Sequence, residues 1–180
     1  MSLPTVLVLA SGRGERFAAS GGTGAKLQAP LAGKTVLQHT LAAVKASGLP
    51  WHLEDSGQPG MGDSIAAAVR ATPEATGWLI LPGDLALIQC ASLRSVAAAL
   101  AGHDVVVPVY QGRRGHPVGF APRCRDALLG LKGISGAAAV SRAYAAIELI
   151  VNDLGCVTDI DTLDDLRKVE QMMLCGGLAP

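Results

Sequence analysis

The segment SGRGER, residues 11–16, followed by Lys26, gathers bare backbone and fixed positive charge in one loop. Glycine lets backbone N–H groups approach anionic oxygens closely, and Arg13, Arg16 and Lys26 add cations to the same place. That combination suits phosphate, although a solvated loop with scattered basic residues reads the same way. Asp84 follows an apolar run across Pro82-Gly83. A carboxylate at the end of a buried strand is a hard ligand suited to Mg²⁺, or a turn residue capping the next element. Asp159 and Asp161 flank Ile160, so extended backbone turns both to one side. Asp161 can equally be the N-cap of the last helix, with Asp164 at the N3 position. His116 lies in GRRGHPVG, 112–119, as a loop-shaping residue or a substrate contact.

Several familiar chemistries are excluded. GRGERF lacks the third glycine of a dinucleotide-binding loop, because Phe17 stands there. Gly33-Lys34-Thr35 resembles the end of a P-loop, but Gln28 occupies the position of its first glycine. No G-x-S-x-G or H-E-x-x-H pattern is present. Cys90, Cys124, Cys156 and Cys175 form no C-x-x-C pair and read as free thiols of a reducing cytosol.

The elements that must position these residues follow from periodicity. Apolar runs predict buried strands over Thr5–Ala10, Gly77–Leu81, Asp104–Tyr110 and Ala146–Val151, with a brief one over Trp51–Glu54. Helical spacing predicts helices over Val36–Ala46, from Asp63 or Ser64 to Ala71, and over Ala91–Ala101, Arg123–Leu131, Gly136–Tyr144 and Asp161–Leu174. Residues 11–25 and 112–119 read as loops. Strands alternating with helices build a mainly parallel sheet covered on both faces, with ligands beyond the strands' carboxyl ends. The loops after Ala10, Leu81 and Tyr110 should therefore converge. The chain of 180 residues, with 49% hydrophobic and 17% charged residues, fits one domain over 1–180. A formal net charge of zero and no long basic cluster argue against a nucleic-acid partner. No apolar run is long enough for a membrane span, and MSLPTVLVLA lacks the charged start of a signal peptide, so a cytoplasmic protein is expected.

Taken in order, the motifs resemble the molybdopterin nucleotidyltransferase-like, or MobA-like NTP transferase, family. LASGRGERF with Lys26 resembles its signature loop, L-A-[AG]-G-x-[GS]-x-R-[MF] followed by lysine. GMGDSI, 60–65, is similar to the loop and helix start that close over the base. LPGD, 81–84, is similar to its metal-binding segment, QGRRGHPVGF, 111–120, to its acceptor loop, and DIDTLDDL, 159–166, to the segment with its second metal ligand. The resemblance implies a three-layer α/β/α, Rossmann-like nucleotidyltransferase fold. It implies that Arg16, Lys26 and Asp84 are catalytic and that Asp84 and Asp161 hold Mg²⁺. Leu9, Ala10, Ser11, Gly12, Arg13, Gly14, Gly62, Ser64 and Gly83 would bind nucleotide, and Arg114, Gly115, His116 and Pro117 the acceptor.

The implied activity is transfer of a nucleoside monophosphate from CTP or GTP to a phosphorylated acceptor, molybdopterin cofactor by this resemblance, with release of pyrophosphate. Ser11 matches neither the L-A-G-G of guanylyl-transferring members nor the L-A-A-G of cytidylyl-transferring ones, while QGRRGHPV favours CTP. A molybdoenzyme or its maturation protein is an implied partner. Four departures stand out. GGTGA lengthens the approach to Lys26, and Ala86 replaces a proline. Lys132–Ala137 replaces the family's G-D-x-G-A-R. Only residues 47–59 separate the first long helix from GMGDS, so one strand–helix unit is lacking and the sheet should be narrower at one edge. Two other readings follow: a sugar- or polyol-phosphate acceptor, and a non-catalytic nucleotide-binding accessory protein.

Overall fold

Alternate residues of the central strands enter different cores, as a sheet covered on both faces requires. The computed structural model describes residues 3–175. The chain runs through β1 (Thr5–Leu9), α1 (Glu15–Ala19), the short ribbon β2 (Pro30–Leu31) and β3 (Lys34–Thr35), α2 (Val36–Ser47), β4 (Trp51–Glu54), α3 (Met61–Ala71) and β5 (Trp78–Pro82). It continues through α4 (Cys90–Ala99), β6 (Val105–Tyr110), β7 (Arg113–Arg114), β8 (Val118–Phe120), α5 (Arg125–Leu129), α6 (Ala138–Ala143), β9 (Ala146–Ile150) and α7 (Leu163–Cys175). Val6, Val8, Leu79, Leu81 and Val106 share a cluster with Leu37 and Val44 of α2 and Leu93 and Val96 of α4. Leu7, Trp78, Ile80, Val105 and Val107 share the opposite cluster with Ile65 and Val69 of α3, Leu128 of α5 and Val140 of α6. This is the expected α/β/α layering. A third cluster, including Phe17, Leu31, Ile160 and Val169, ties α1, the ribbon and α7 together.

Strands β4, β1 and β5 are parallel neighbours, β6 is parallel to β9, and β8 runs antiparallel between β5 and β6. The carboxyl ends of β4, β1, β5, β6 and β9 therefore share one rim. One strand and no helix lie between α2 and α3, and β4 forms the sheet edge beside β1, as the short 47–59 segment predicts.

Three local expectations change. The loop over 11–25 contains α1, because Gly14 takes a left-handed φ of 63° and starts the helix. The loop over 112–119 is a hairpin: Gln111 and Gly112 both have positive φ and fold Arg113–Arg114 onto Val109–Tyr110. Such a turn matches the twist of paired strands. Helix α3 starts at Met61, ahead of the expected Asp63 or Ser64 cap. The P-loop-like Gly33-Lys34-Thr35 also has a structural account. Gly33 turns the β2–β3 ribbon, and Thr35 caps α2 in a reciprocal pair with Gln38. All four cysteines are free. Among the described residues no helix is long and apolar enough to cross a membrane.

Candidate functional site

The first and fifth strands end side by side, and their turns are locked to each other. Gly83 donates its N–H to the Leu9 carbonyl at 2.9 Å, and its own carbonyl accepts the buried Thr40 hydroxyl at 2.9 Å. A Cβ on Gly83 would stand 3.1 Å from the Leu9 oxygen, so the turn that carries Asp84 fits tightly against β1. Gly14 brings the arginine loop over Lys26, whose Cβ lies 3.1 Å from the place of a Gly14 Cβ. Around Gly12 no atom of a distant residue comes within 4 Å of its Cβ position, so that backbone is open.

Charge converges where these turns meet. Lys26 Nζ donates to Asp84 Oδ2 at 2.6 Å and to Asp161 Oδ1 at 3.2 Å. Arg16 Nη1 reaches Asp161 Oδ2 at 2.6 Å, although the arginine side chain is 77% exposed. Burial opposes the Lys26 charge, but Asp84 and then Asp161 outweigh it and hold its pKa above the ordinary lysine value. Burial raises the Asp159 carboxyl, and the charges of Asp161 and Asp84 add to the rise. Asp161 is free for this cluster because it is not the helix cap. Thr162 and Asp165 cap α7 instead: the Asp165 N–H donates to Thr162 Oγ1, and Asp165 Oδ2 accepts the Thr162 N–H at 2.9 Å.

Among the described residues no group of three or more His, Cys, Asp or Glu side chains is arranged to hold a metal ion. A two-carboxylate site is nevertheless compatible with Mg²⁺, which binds through one or two carboxylates and completes its shell with phosphate oxygens and water. Asp84 Oδ1 fits that role, being buried without a hydrogen-bond partner.

The cluster borders a cleft of about 490 Å³. Arg16, Lys26, Asp84 and Asp161 line it, together with Leu9, Ser11, Gly12, Arg13, Gly14, Ser64 and Gly83. The expected nucleotide residues Ala10 and Gly62 do not line it. The Gly62 N–H donates to the Gly133 carbonyl at 2.8 Å. Of the expected acceptor residues, none lines the cleft. Arg114 pairs with Glu148 of β9 at 2.8 Å, and Gly115 packs on the backbone of Cys156. His116 is half-buried, its Nδ1 has no hydrogen-bond partner, and burial lowers its pKa against the raising effects of the Ile80 backbone, Asp84 and Asp159. Pro117 follows it through a cis bond. Gln58, Pro59, Met61 and Ile134 line it too, with Glu15, Leu27, Gly60 and Pro82. Gln58 and Pro59 directly precede the GMGDS motif and Met61 lies within it, so that motif was the available signal; nothing in the sequence marked Ile134.

A family model described as "MobA-like NTP transferase domain" matches residues 41–147, more than half of the chain. No curated protein matches in sequence. Among solved structures, Rv0371c from Mycobacterium tuberculosis H37Rv is 23% identical, with a TM-score of 0.80, over 94% of this chain and 98% of that one. Its complex with manganese aligns at 22% identity and a TM-score of 0.75, over 94% and 99%. Molybdopterin-guanine dinucleotide biosynthesis protein A from Archaeoglobus fulgidus is 19% identical, with a TM-score of 0.68, over 96% and 100%. The 2-C-methyl-D-erythritol 4-phosphate cytidylyltransferase from Thermus thermophilus is 17% identical, with a TM-score of 0.67, over 97% and 100%. At these identities the likeness establishes a shared nucleotidyltransferase fold.

Proposed function

The chain belongs to the MobA-like NTP transferase family, and from that premise we propose that it moves CMP from CTP to molybdopterin cofactor in the cytoplasm, with magnesium. The observation that carries the transfer chemistry is Lys26 shared between Asp84 and Asp161 beside an open glycine loop. The GRRGHPV segment supports CTP over GTP. A solved relative of the same fold named for molybdopterin-guanine dinucleotide biosynthesis supports the acceptor, and a manganese complex of another supports a divalent cation.

An acceptor phosphate oxygen forms a bond to the α-phosphorus while the bond from that phosphorus to the bridging oxygen breaks. Pyrophosphate leaves with the electron pair. The acceptor phosphate is already ionised at neutral pH, so no side chain has to remove a proton. The backbone of Ser11–Gly14 lies against the β- and γ-phosphates, and Arg16 and Lys26 offset charge growing on the leaving group. Asp84 and Asp161 would hold Mg²⁺, which supplies neutralisation of the phosphate oxygens. The acceleration is positioning and electrostatics.

A sugar- or polyol-phosphate acceptor is favoured by one observation. Arg114, expected at the acceptor, is instead paired with Glu148 away from the cleft. The deciding experiment titrates CTP and GTP calorimetrically with Mg²⁺ and with EDTA, then follows pyrophosphate release against molybdopterin and polyol phosphates. Magnesium-dependent CTP binding with molybdopterin-stimulated release is expected. Preference for GTP reassigns the base, and stimulation by a polyol phosphate reassigns the acceptor. Tight binding with no release under any acceptor makes the chain an accessory protein that serves a molybdoenzyme.

A further inference from the structure

Serine and threonine hydroxyls inside a helix commonly bond back to a carbonyl of that helix. Ser47, Ser64 and Ser141 do so, to Val44 at 2.6 Å, Gly60 at 3.1 Å and Ala137 at 3.3 Å. Thr40, in the second turn of α2, does otherwise. It is fully buried, and its hydroxyl reaches out of the helix to the Gly83 carbonyl, 43 residues away in the chain. Thr40 does not line the cleft.

The carbonyl it holds belongs to the peptide that leads into Asp84. That peptide is planar, so fixing the Gly83 oxygen fixes the Asp84 nitrogen as well. On the other side, Ile160 donates its N–H to the Asp84 carbonyl at 3.3 Å. The Asp84 backbone is thus held from α2 and from the segment that carries Asp161. The carboxylate itself has weaker support. Its Oδ1 has no hydrogen-bond partner, and its Oδ2 has Lys26, whose ammonium sits on a flexible stem. The aim of this carboxylate therefore depends on the backbone beneath it.

Resting on the nucleotidyl-transfer reading, we infer that Thr40 is a positioning residue: through the Gly83 peptide, its hydroxyl aims the Asp84 carboxylate at Lys26 and the divalent cation. It acts from the buried face of α2 without touching substrate. A hydroxyl that only satisfied a buried carbonyl would matter to stability alone. One that aims Asp84 also sets cation affinity and turnover in the folded protein.

Three variants separate these roles. Thr40→Val keeps the shape and removes the donor, Thr40→Ala removes it without pressing a methyl on the carbonyl, and Thr40→Ser keeps it. Mn²⁺ binding is followed by electron paramagnetic resonance, and kcat by pyrophosphate release from CTP with molybdopterin, below the melting temperature of every variant. Loss of one hydrogen bond predicts that Kd for Mn²⁺ rises about tenfold in the Val and Ala variants. Their kcat falls by about tenfold or more, as misplacement of a reacting group dictates. Thr40→Ser stays within about twofold of wild type in both, because the donor is kept. Unchanged Mn²⁺ affinity in the Val and Ala variants overturns the inference. So does an equal loss in Thr40→Ser, which gives the role to the methyl group. Failure of both the Val and Ala variants to fold overturns it too, because the hydroxyl then serves the fold alone. A wild-type protein that binds no Mn²⁺ and releases no pyrophosphate overturns the nucleotidyl-transfer reading itself, so the wild-type measurements tell the two failures apart.

Discussion

Lys26 reaches both carboxylates of the site, so its removal leaves Asp84 and Asp161 facing each other without that cation. Lys26→Met should lower turnover by about 10²–10³-fold, the usual loss for one electrostatic contact to a developing charge. Asp84→Ala should fold normally, by circular dichroism, and lose at least as much in a pyrophosphate-release assay. Unchanged turnover would remove either residue from the chemistry. The pH dependence of the Lys26 pairs has a definite sign. The folded pKa lies above the ordinary lysine value, so the stabilisation is complete below that value and is lost as pH rises through the folded pKa. Urea midpoints of the wild type and Lys26→Met should converge only above about pH 10.4, the unfolded lysine value. Cysteine reactivity is set by the same competition between burial and charge. Burial and the neighbouring Asp153 push the Cys156 thiol up to about 12. Iodoacetamide at about pH 8 should therefore label exposed Cys175 and spare Cys156 until the protein is unfolded, as mass spectrometry can follow.

Two elements carry expectations of their own. The Thr162–Asp165 cap fastens α7 and leaves Asp161 to the site. Asp165→Ala should cost about 1 kcal/mol at neutral pH, as loss of a helix cap does. Hydrogen bonds from Thr162 hold the Asp165 pKa below the ordinary aspartate value. Its contribution is present above the unfolded value and is lost as pH falls through the folded one, so wild type and variant should converge in strong acid. Gly60→Ala, which drives a Cβ into the Gly133 carbonyl, should destabilise by about 1–3 kcal/mol in denaturant titration, the cost of overpacking. The strands were legible because β1, β5 and β6 are buried on both faces and read as continuous apolar runs. Helix α1 was not, because glycines surround its five residues. The hairpin through β7 was not, because Arg113 and Arg114 are exposed and show no strand pattern. The cap of α7 was misread by one residue because Asp161 and Thr162 are both good caps and only the fold chooses between them.

At the scale of the whole molecule, ligand binding and stability are one measurement. Mg²⁺ with CTP at about a hundred times its Kd should stabilise the protein by about 2.7 kcal/mol, and EDTA should abolish the shift in a thermal melt. The charged end of the cleft could be read in advance because Arg16, Lys26, Asp84 and Asp161 sit where strands give way to loops or helices begin. The part lined by Ile134 could not. Ile134 is a lone apolar residue among Lys132, Gly133, Ser135 and Gly136, and only the crossing of 132–135 over the start of α3 brings it to the cleft. Long-range closure also orders events in time. Lys26 and Asp161 stand 135 residues apart in the chain. During biosynthesis Arg16 and Lys26 leave the ribosome before either carboxylate that pairs with them. Asp84 arrives with the fifth strand, and Asp161 only after β9, the last strand, has been made. A nascent chain can thus assemble its sheet while one of the two carboxylates that pair with Lys26 has not yet been translated, and the charged cluster is completed later than the scaffold that frames it.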